Sequence, residues 1–126
     1  MSKTILYKKL SAIRKSVPNV NYGGCGWMAL YLYEYFQRNK IDCKIVQFKV
    51  KWLFGLTHFM VKAKGYYIID VNGRWSWIYA FFLNLPCCKK YTYSKYDLEV
   101  RLSNQKLWNK KFNPNYANVI KIIMEK

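Results

Sequence analysis

THFMVKAKGYYIIDVNG, residues Thr57–Gly73, reads as two β-strands joined by a tight turn, and its register decides which side chains share a face. A two-residue loop, Lys64-Gly65, would pair Ala63 with Tyr66 and turn Asp70 away from His58. A three-residue loop, Ala63-Lys64-Gly65, pairs Lys62 with Tyr66, Met60 with Ile68 and His58 with Asp70. Three-residue loops favour a type I turn followed by a left-handed residue, and Gly65 stands at that third place. The second register is therefore the expectation. Phe59, Val61, Tyr67, Ile69 and Val71 then share an apolar face, and His58, Met60, Lys62, Tyr66, Ile68 and Asp70 share the other. Directly opposed residues have Cβ atoms roughly 4.5–5.5 Å apart, close enough for an imidazole–carboxylate hydrogen bond. His58 is the only histidine of the chain, and Asp70 is one of six acidic residues.

Upstream of the hairpin, KIVQFKVKW (Lys44–Trp52) alternates, with Val46, Phe48, Val50 and Trp52 against Ile45, Gln47, Lys49 and Lys51. This predicts a half-buried strand. Before it, Cys25, Met28, Ala29, Leu32, Tyr35 and Phe36 repeat at helical spacing, predicting a helix from Cys25 to about Arg38. Glu34 and Arg38 are spaced to pair on its solvent side, and Asn39 favours a stop. Residues 3–16 carry Ile5, Leu6, Leu10 and Ile13 on one stripe and predict an amphipathic helix closed by Val17-Pro18. Downstream, Trp75–Leu83 is an apolar segment of either type, broken by Pro86; helices are expected near Lys95–Trp108 and Tyr116–Glu125. Helices followed by clustered strands point to an α+β fold, with the N-terminal helices packed on an antiparallel sheet.

At 126 residues with 52% apolar and 19% aromatic content, residues 1–126 are expected to form a single domain with its own core. No apolar run reaches the length of a transmembrane span, and the N-terminal stretch lacks the pattern of a signal peptide. A reducing, cytoplasmic setting follows as the expectation, which makes Cys25, Cys43, Cys87 and Cys88 thiols. There is no CxxC or paired-His spacing, so no metal site is expected. The net charge of +16 has two readings. One is attraction to a polyanion: nucleic acid, an anionic lipid surface or an acidic protein. The other is a lysine-rich coding bias, in keeping with an AT-rich genome such as a viral one, that keeps the chain soluble.

The sharpest chemical signal is Cys25, set in GGCG at a helix start. A cysteine attacks as thiolate, and a helix N-terminus favours that anion. An imidazole nearby can take the proton, and a carboxylate behind it holds the tautomer and stabilises the imidazolium. Cys25, His58 and Asp70 are the candidates for these roles. Gly23, Gly24 and Gly26 remove side-chain bulk where a substrate carbonyl would approach, with Trp27 beside them. The oxyanion would take the Cys25 N–H and a second donor from Asn19 or Asn21; either asparagine would equally serve to cap the turn.

Together these residues resemble the papain-like superfamily of cysteine enzymes, and most closely its transglutaminase-like branch. The resemblance rests on Gly23-Gly24-Cys25 opening a helix, the stripe to Phe36, the strand entry Ile41-Asp42-Cys43-Lys44-Ile45-Val46, His58 on the next strand and Asp70 one strand later. It spans residues 19–73, and small phage and bacterial proteins with a GGCG…H…D pattern look similar. It implies a papain-like core, Cys25 as nucleophile, His58 as general base and acid, and Asp70 as the orienting acid. In papain-like enzymes a glutamine six residues before the nucleophile lines the oxyanion hole, and Asn19 occupies that offset. The chain departs from the pattern where Gly26 separates Cys25 from Trp27 and where Val71, not proline, follows Asp70.

Two functions follow as expectations. The first is a cofactor-independent cysteine hydrolase or acyltransferase, acting on a peptide, isopeptide or amide through an acyl-thioester on Cys25. The second is a non-catalytic basic protein on a papain-like scaffold, binding nucleic acid or an acidic or host protein.

Overall fold

The computed structural model describes residues 3–20, 24–50, 56–74, 88–103 and 112–126. The Trp75–Leu83 segment, Pro86, Cys87, Trp52 and the stretch 104–108 of the expected third helix lie outside the described residues. The described elements are helices α1 (Lys3–Ser16) and α2 (Cys25–Arg38), strands β1 (Cys43–Val50), β2 (Leu56–Ala63), β3 (Tyr67–Asp70), β4 (Gly73–Arg74) and β5 (Cys88–Tyr93), then α3 (Lys95–Ser103) and α4 (Tyr116–Glu125). The fold is mixed α+β. Its antiparallel sheet has the order β4-β3-β2-β1-β5.

Helix α2 packs on β1, β2 and β3 on one side, and meets α3 and α4 on the other. This double coverage explains why its buried set (Cys25, Gly26, Met28, Ala29, Leu30, Leu32, Tyr35 and Phe36) is wider than one stripe. Beneath it, Ile45, Val61 and Ile69 form a cross-strand row with no exposed surface. Burying such a side chain is worth about 1.5–3 kcal/mol, so this row anchors the sheet to the helix. The same cluster includes Leu6, Leu10 and Ile13 of α1, Leu98 and Leu102 of α3, and Ile120 and Met124 of α4. Among the described residues no helix is long and apolar enough to cross a membrane.

Several expectations need correction. Ile5 stands 54% exposed, because α1 turns only Leu6, Leu10 and Ile13 inward. Glu34 pairs with Lys95 of α3 at 3.0 Å, while Arg38 donates to the Met124 carbonyl at 3.0 Å, so neighbouring helices supply the partners. Strand β1 is buried on both faces: Ile45 and Gln47 face α2, and Val46 and Phe48 are buried on the other side. A strand flanked by β2 and β5 does not need the alternation of a half-buried one. Strand β5 was not expected; its KKYTY run gains strand character from pairing with β1.

The hairpin register also differs. The pairs are Val61↔Ile69, Lys62↔Ile68 and Ala63↔Tyr67, which leave Lys64-Gly65-Tyr66 as the loop. Tyr66 N–H donates to the Ala63 carbonyl at 3.0 Å, and Gly65 has φ 85°. Gly65 thus serves as the third residue of a β-turn, where type II requires positive φ. Tyr66 then turns inward, its ring 5.0 Å from that of Phe36. The slip is two residues. Side chains on a strand alternate with period two, so His58 and Asp70 keep a common face but become diagonal neighbours.

Candidate active site

Cys25 is the first residue of α2. Gly24 precedes it with φ −88° and ψ 0°, and Met28 N–H donates to the Gly24 carbonyl at 2.9 Å. The first helical turn leaves its amides without intrahelical partners and carries partial positive charge. The Cys25 side chain is 5% exposed. The His58 imidazole and the backbone N–H groups of Phe59 and Gly26 act on its thiol to favour the anion. The β2–β3 pairing runs to Val61↔Ile69, and Phe59 lies two residues beyond it on β2. The helix start therefore meets the sheet where one ladder has ended and a strand amide is available to the thiol.

His58 Nε2 stands 2.9 Å from Asp70 Oδ2. A carboxylate accepts, so Nε2 carries the proton and Nδ1 is the ring nitrogen left for Cys25. Asp70 is 3% exposed, and its Oδ1 accepts the Asn72 N–H at 2.8 Å. That second bond belongs to a turn: Asp70 pairs with Gly73, and Gly73 has φ 95°. Aspartate first and glycine fourth is a type I turn signature, because the carboxylate can bond two residues ahead. The Asp-x-x-Gly signal of DVNG is legible in the sequence, and a strand reading alone passes over it.

Electrostatics join the three side chains. Burial works against charge on His58, but the hydrogen bonds to Asp70 and Cys25 and the charges of both outweigh it, and the imidazole is pushed up to about 9. Burial likewise pushes the Cys25 thiol up. The hydrogen bond and charge of His58, with the Phe59 and Gly26 amides, outweigh that too and hold it below the ordinary thiol value. Both shifts favour a thiolate–imidazolium pair. Cys43 is the contrast: it is buried beside Gln37 Nε2 at 3.6 Å, and burial pushes its thiol up.

The remaining described candidates sit as follows. Asn19 is exposed in the turn before α2, with φ 59° and its carbonyl accepting Gly24 N–H at 3.4 Å. Asparagine tolerates that left-handed conformation, so Asn19 shapes the turn. Asn21 and Gly23 lie outside the described residues. Gly24 does not leave room for substrate: a Cβ there would stand 2.7 Å from the Phe112 ring and 2.8 Å from the Val20 carbonyl. At Gly26 a Cβ would stand 2.7 Å from Leu102. These two glycines admit core side chains close to the helix. Trp27 lies two residues, about 200°, around the helix from Cys25. It stacks on Tyr31 with ring centroids 6.4 Å apart and lines a groove with Glu34, Glu99 and Glu125, so it does not face the thiol. Among the described residues no group of three His, Cys, Asp or Glu is arranged to hold a metal ion. No protein-family model, curated protein or solved structure matches the chain.

Proposed function

We propose that this chain is a cysteine-dependent hydrolase or acyltransferase of papain-like or transglutaminase-like character. The observation that carries the reading is the His58–Asp70 hydrogen bond at 2.9 Å, with the Cys25 thiol at a helix start held low by that imidazole. Thiolate Sγ attacks the carbonyl carbon of an amide, isopeptide or thioester, and the carbonyl π electrons move onto oxygen. That oxyanion is stabilised by the Cys25 amide at the helix start. The intermediate collapses, the bond to the leaving group breaks, and His58 delivers its proton to that group. Water or an amine then attacks the Cys25 thioester while His58 accepts its proton, and the thiolate leaves. Asp70 holds the tautomer and stabilises the imidazolium in both halves.

The test is the pH profile of Cys25 alkylation by iodoacetamide, followed by mass, with capture of the acyl-enzyme from an activated ester. A midpoint below the ordinary thiol range, about 8.5, that rises in His58→Ala supports the reading, as does an acyl adduct on Cys25. An ordinary profile with no adduct overturns it.

A second, compatible reading is favoured by one feature of the sheet. Lys44 stands directly opposite Lys62, and both line a cavity of about 310 Å³ with Lys64. Like charges directly opposed cost stability, and an anionic partner would relieve that cost. Binding of a single-stranded oligonucleotide that weakens with salt and is lost in a Lys44→Glu, Lys62→Glu double variant would support it; salt-insensitive or absent binding would remove it.

A further inference from the structure

Helix α1 reaches the acid of the series through a single peptide unit. Arg14 Nη1 donates to the Val71 carbonyl at 2.6 Å, and the N–H of that same Val71–Asn72 peptide donates to Asp70 Oδ1 at 2.8 Å. The other oxygen of Asp70 meets His58, and His58 meets Cys25. A peptide unit is planar, with its C=O and N–H pointing in opposite directions. Whatever fixes the carbonyl therefore aims the amide.

The Val71–Asn72 peptide is the central one of the turn Asp70-Val71-Asn72-Gly73. Rotating it by half a turn converts a type I turn into type II, which needs positive φ at the third residue. Asparagine is one of the few residues that accept this conformation, so Asn72 makes the flip accessible. Asn72 does not adopt it here, since the positive-φ residues other than glycine are Asn19 and Lys40 among the described residues. In the flipped turn the Asn72 N–H would leave Asp70, and the carbonyl would point at the carboxylate in its place. The guanidinium holds the carbonyl outward, and a charged donor polarises the peptide and strengthens its N–H. Tyr7, two turns earlier on α1, supports the same turn, its ring 3.6 Å from where a Gly73 Cβ would stand.

We infer that Arg14 is a positioning residue, which holds the Val71–Asn72 peptide in the orientation that orders Asp70 for His58. The inference rests on the reading of Cys25, His58 and Asp70 as a catalytic series. It extends the site to α1, which lies outside the stretch that carries the papain-like resemblance. The charged groups acting on the imidazole are Asp70 from β3 and Cys25 from α2.

Positioning and plain charge have opposite signs. Removing a nearby cation by itself raises the His58 midpoint, whereas letting Asp70 drift lowers it. The experiment is the titration of the His58 ring by NMR in wild type, Arg14→Met and Arg14→Lys, with Cys25 alkylation profiles alongside. Arg14→Met is expected to lower the His58 midpoint from about 9 by about one pH unit and to raise the Cys25 midpoint. Arg14→Lys, which keeps a charged donor, is expected to recover part of both. In an Asp70→Asn background Arg14→Met is expected to move neither. An unchanged or raised His58 midpoint in folded Arg14→Met overturns the inference, as does an equal shift in the Asp70→Asn background. If Arg14→Met does not fold, Arg14→Gln replaces it; failure of both to fold overturns the inference, since Arg14 is then needed only for folding. An ordinary wild-type Cys25 profile defeats the catalytic reading. A low wild-type midpoint left unchanged by Arg14→Met defeats this inference alone.

Discussion

Asp70 divides its two oxygens between two tasks: Oδ1 takes the Asn72 amide and Oδ2 stands 2.9 Å from His58 Nε2. Asp70→Asn separates them. The amide oxygen can still accept from Asn72, so the turn is kept, while the charge facing the imidazole is lost. The His58 midpoint is expected to fall from about 9 toward 6.5, read by NMR titration of the ring.

The same shift makes a stability prediction with a definite sign. His58 has a folded value above its ordinary 6.5, so its contribution is complete below about 6.5 and is lost as pH rises through about 9. Cys25 is lowered from 9.0, so its contribution is present above 9 and is lost as pH falls through the lowered value. Between the two, the folded state holds a proton on His58 and lacks one on Cys25, and the slopes oppose each other. Urea melts of Cys25→Ala remove one slope. Because Cys25 also helps to raise His58, the variant's His58 midpoint falls below about 9, and the variant is expected to lose stability from about pH 6.5 up to that lower midpoint, more steeply than wild type.

His58 and Asp70 share a face because they sit on paired strands at even offset, and that parity is legible from the alternation of Thr57–Gly73. It survived a register slip of two residues, since only an odd slip exchanges faces. The slip itself was not legible: Gly65 suits the third place of a type II turn as well as the end of a three-residue loop. What selects the turn is Tyr66, whose ring packs on Phe36, thirty residues away in sequence. The Arg14 bond to Val71 spans fifty-seven residues and leaves no local pattern. Gly24 and Gly26 illustrate the limit most plainly. Small residues beside a nucleophile look like room for substrate, and only the packing of Phe112 and Leu102 tells otherwise.

Gly65 offers a direct test of the turn. A Cβ there meets no atom within 4 Å, so Gly65→Ala adds no clash and isolates the backbone strain at φ 85°. The expected loss is about 1–2 kcal/mol in a urea melt, with the Cys25 alkylation profile unchanged. A loss near zero would mean that the turn relaxes to negative φ.

The two glycines flanking Cys25 should behave differently. At Gly24 the added methyl meets a backbone carbonyl as well as the Phe112 ring, and a carbonyl cannot swing aside. Gly24→Ala is expected to cost about 1–3 kcal/mol. At Gly26 the obstruction is the end of the Leu102 side chain, which can change rotamer, and alanine gains about 1 kcal/mol of helix propensity over glycine. Gly26→Ala is therefore expected within about 1 kcal/mol of wild type. Equal and large losses at both would show that Leu102 has no alternative place to go.

Beyond the site, a buried polar group tests the helix-facing side of the sheet, next to α3. Gln47 has no exposed surface; its Oε1 accepts the Tyr93 hydroxyl at 2.9 Å, and that hydroxyl accepts from Arg101 Nη1 at 3.1 Å. The Gln47 amide nitrogen has no partner among the described residues. Tyr93→Phe strands the Gln47 oxygen as well, and an unsatisfied buried acceptor costs about 1–3 kcal/mol. Gln47→Met removes an amide that is already half unsatisfied and leaves the hydroxyl bonded to Arg101. Its expected effect is neutral to stabilising by about 1 kcal/mol. Once Gln47 is methionine, Tyr93→Phe strands no buried amide, so the double variant should lose less than the sum of the single losses. Chemical melts of the four proteins give that coupling directly. Strict additivity would mean that Tyr93 stabilises the sheet through its ring against Phe59, 5.4 Å away, and not through its hydroxyl.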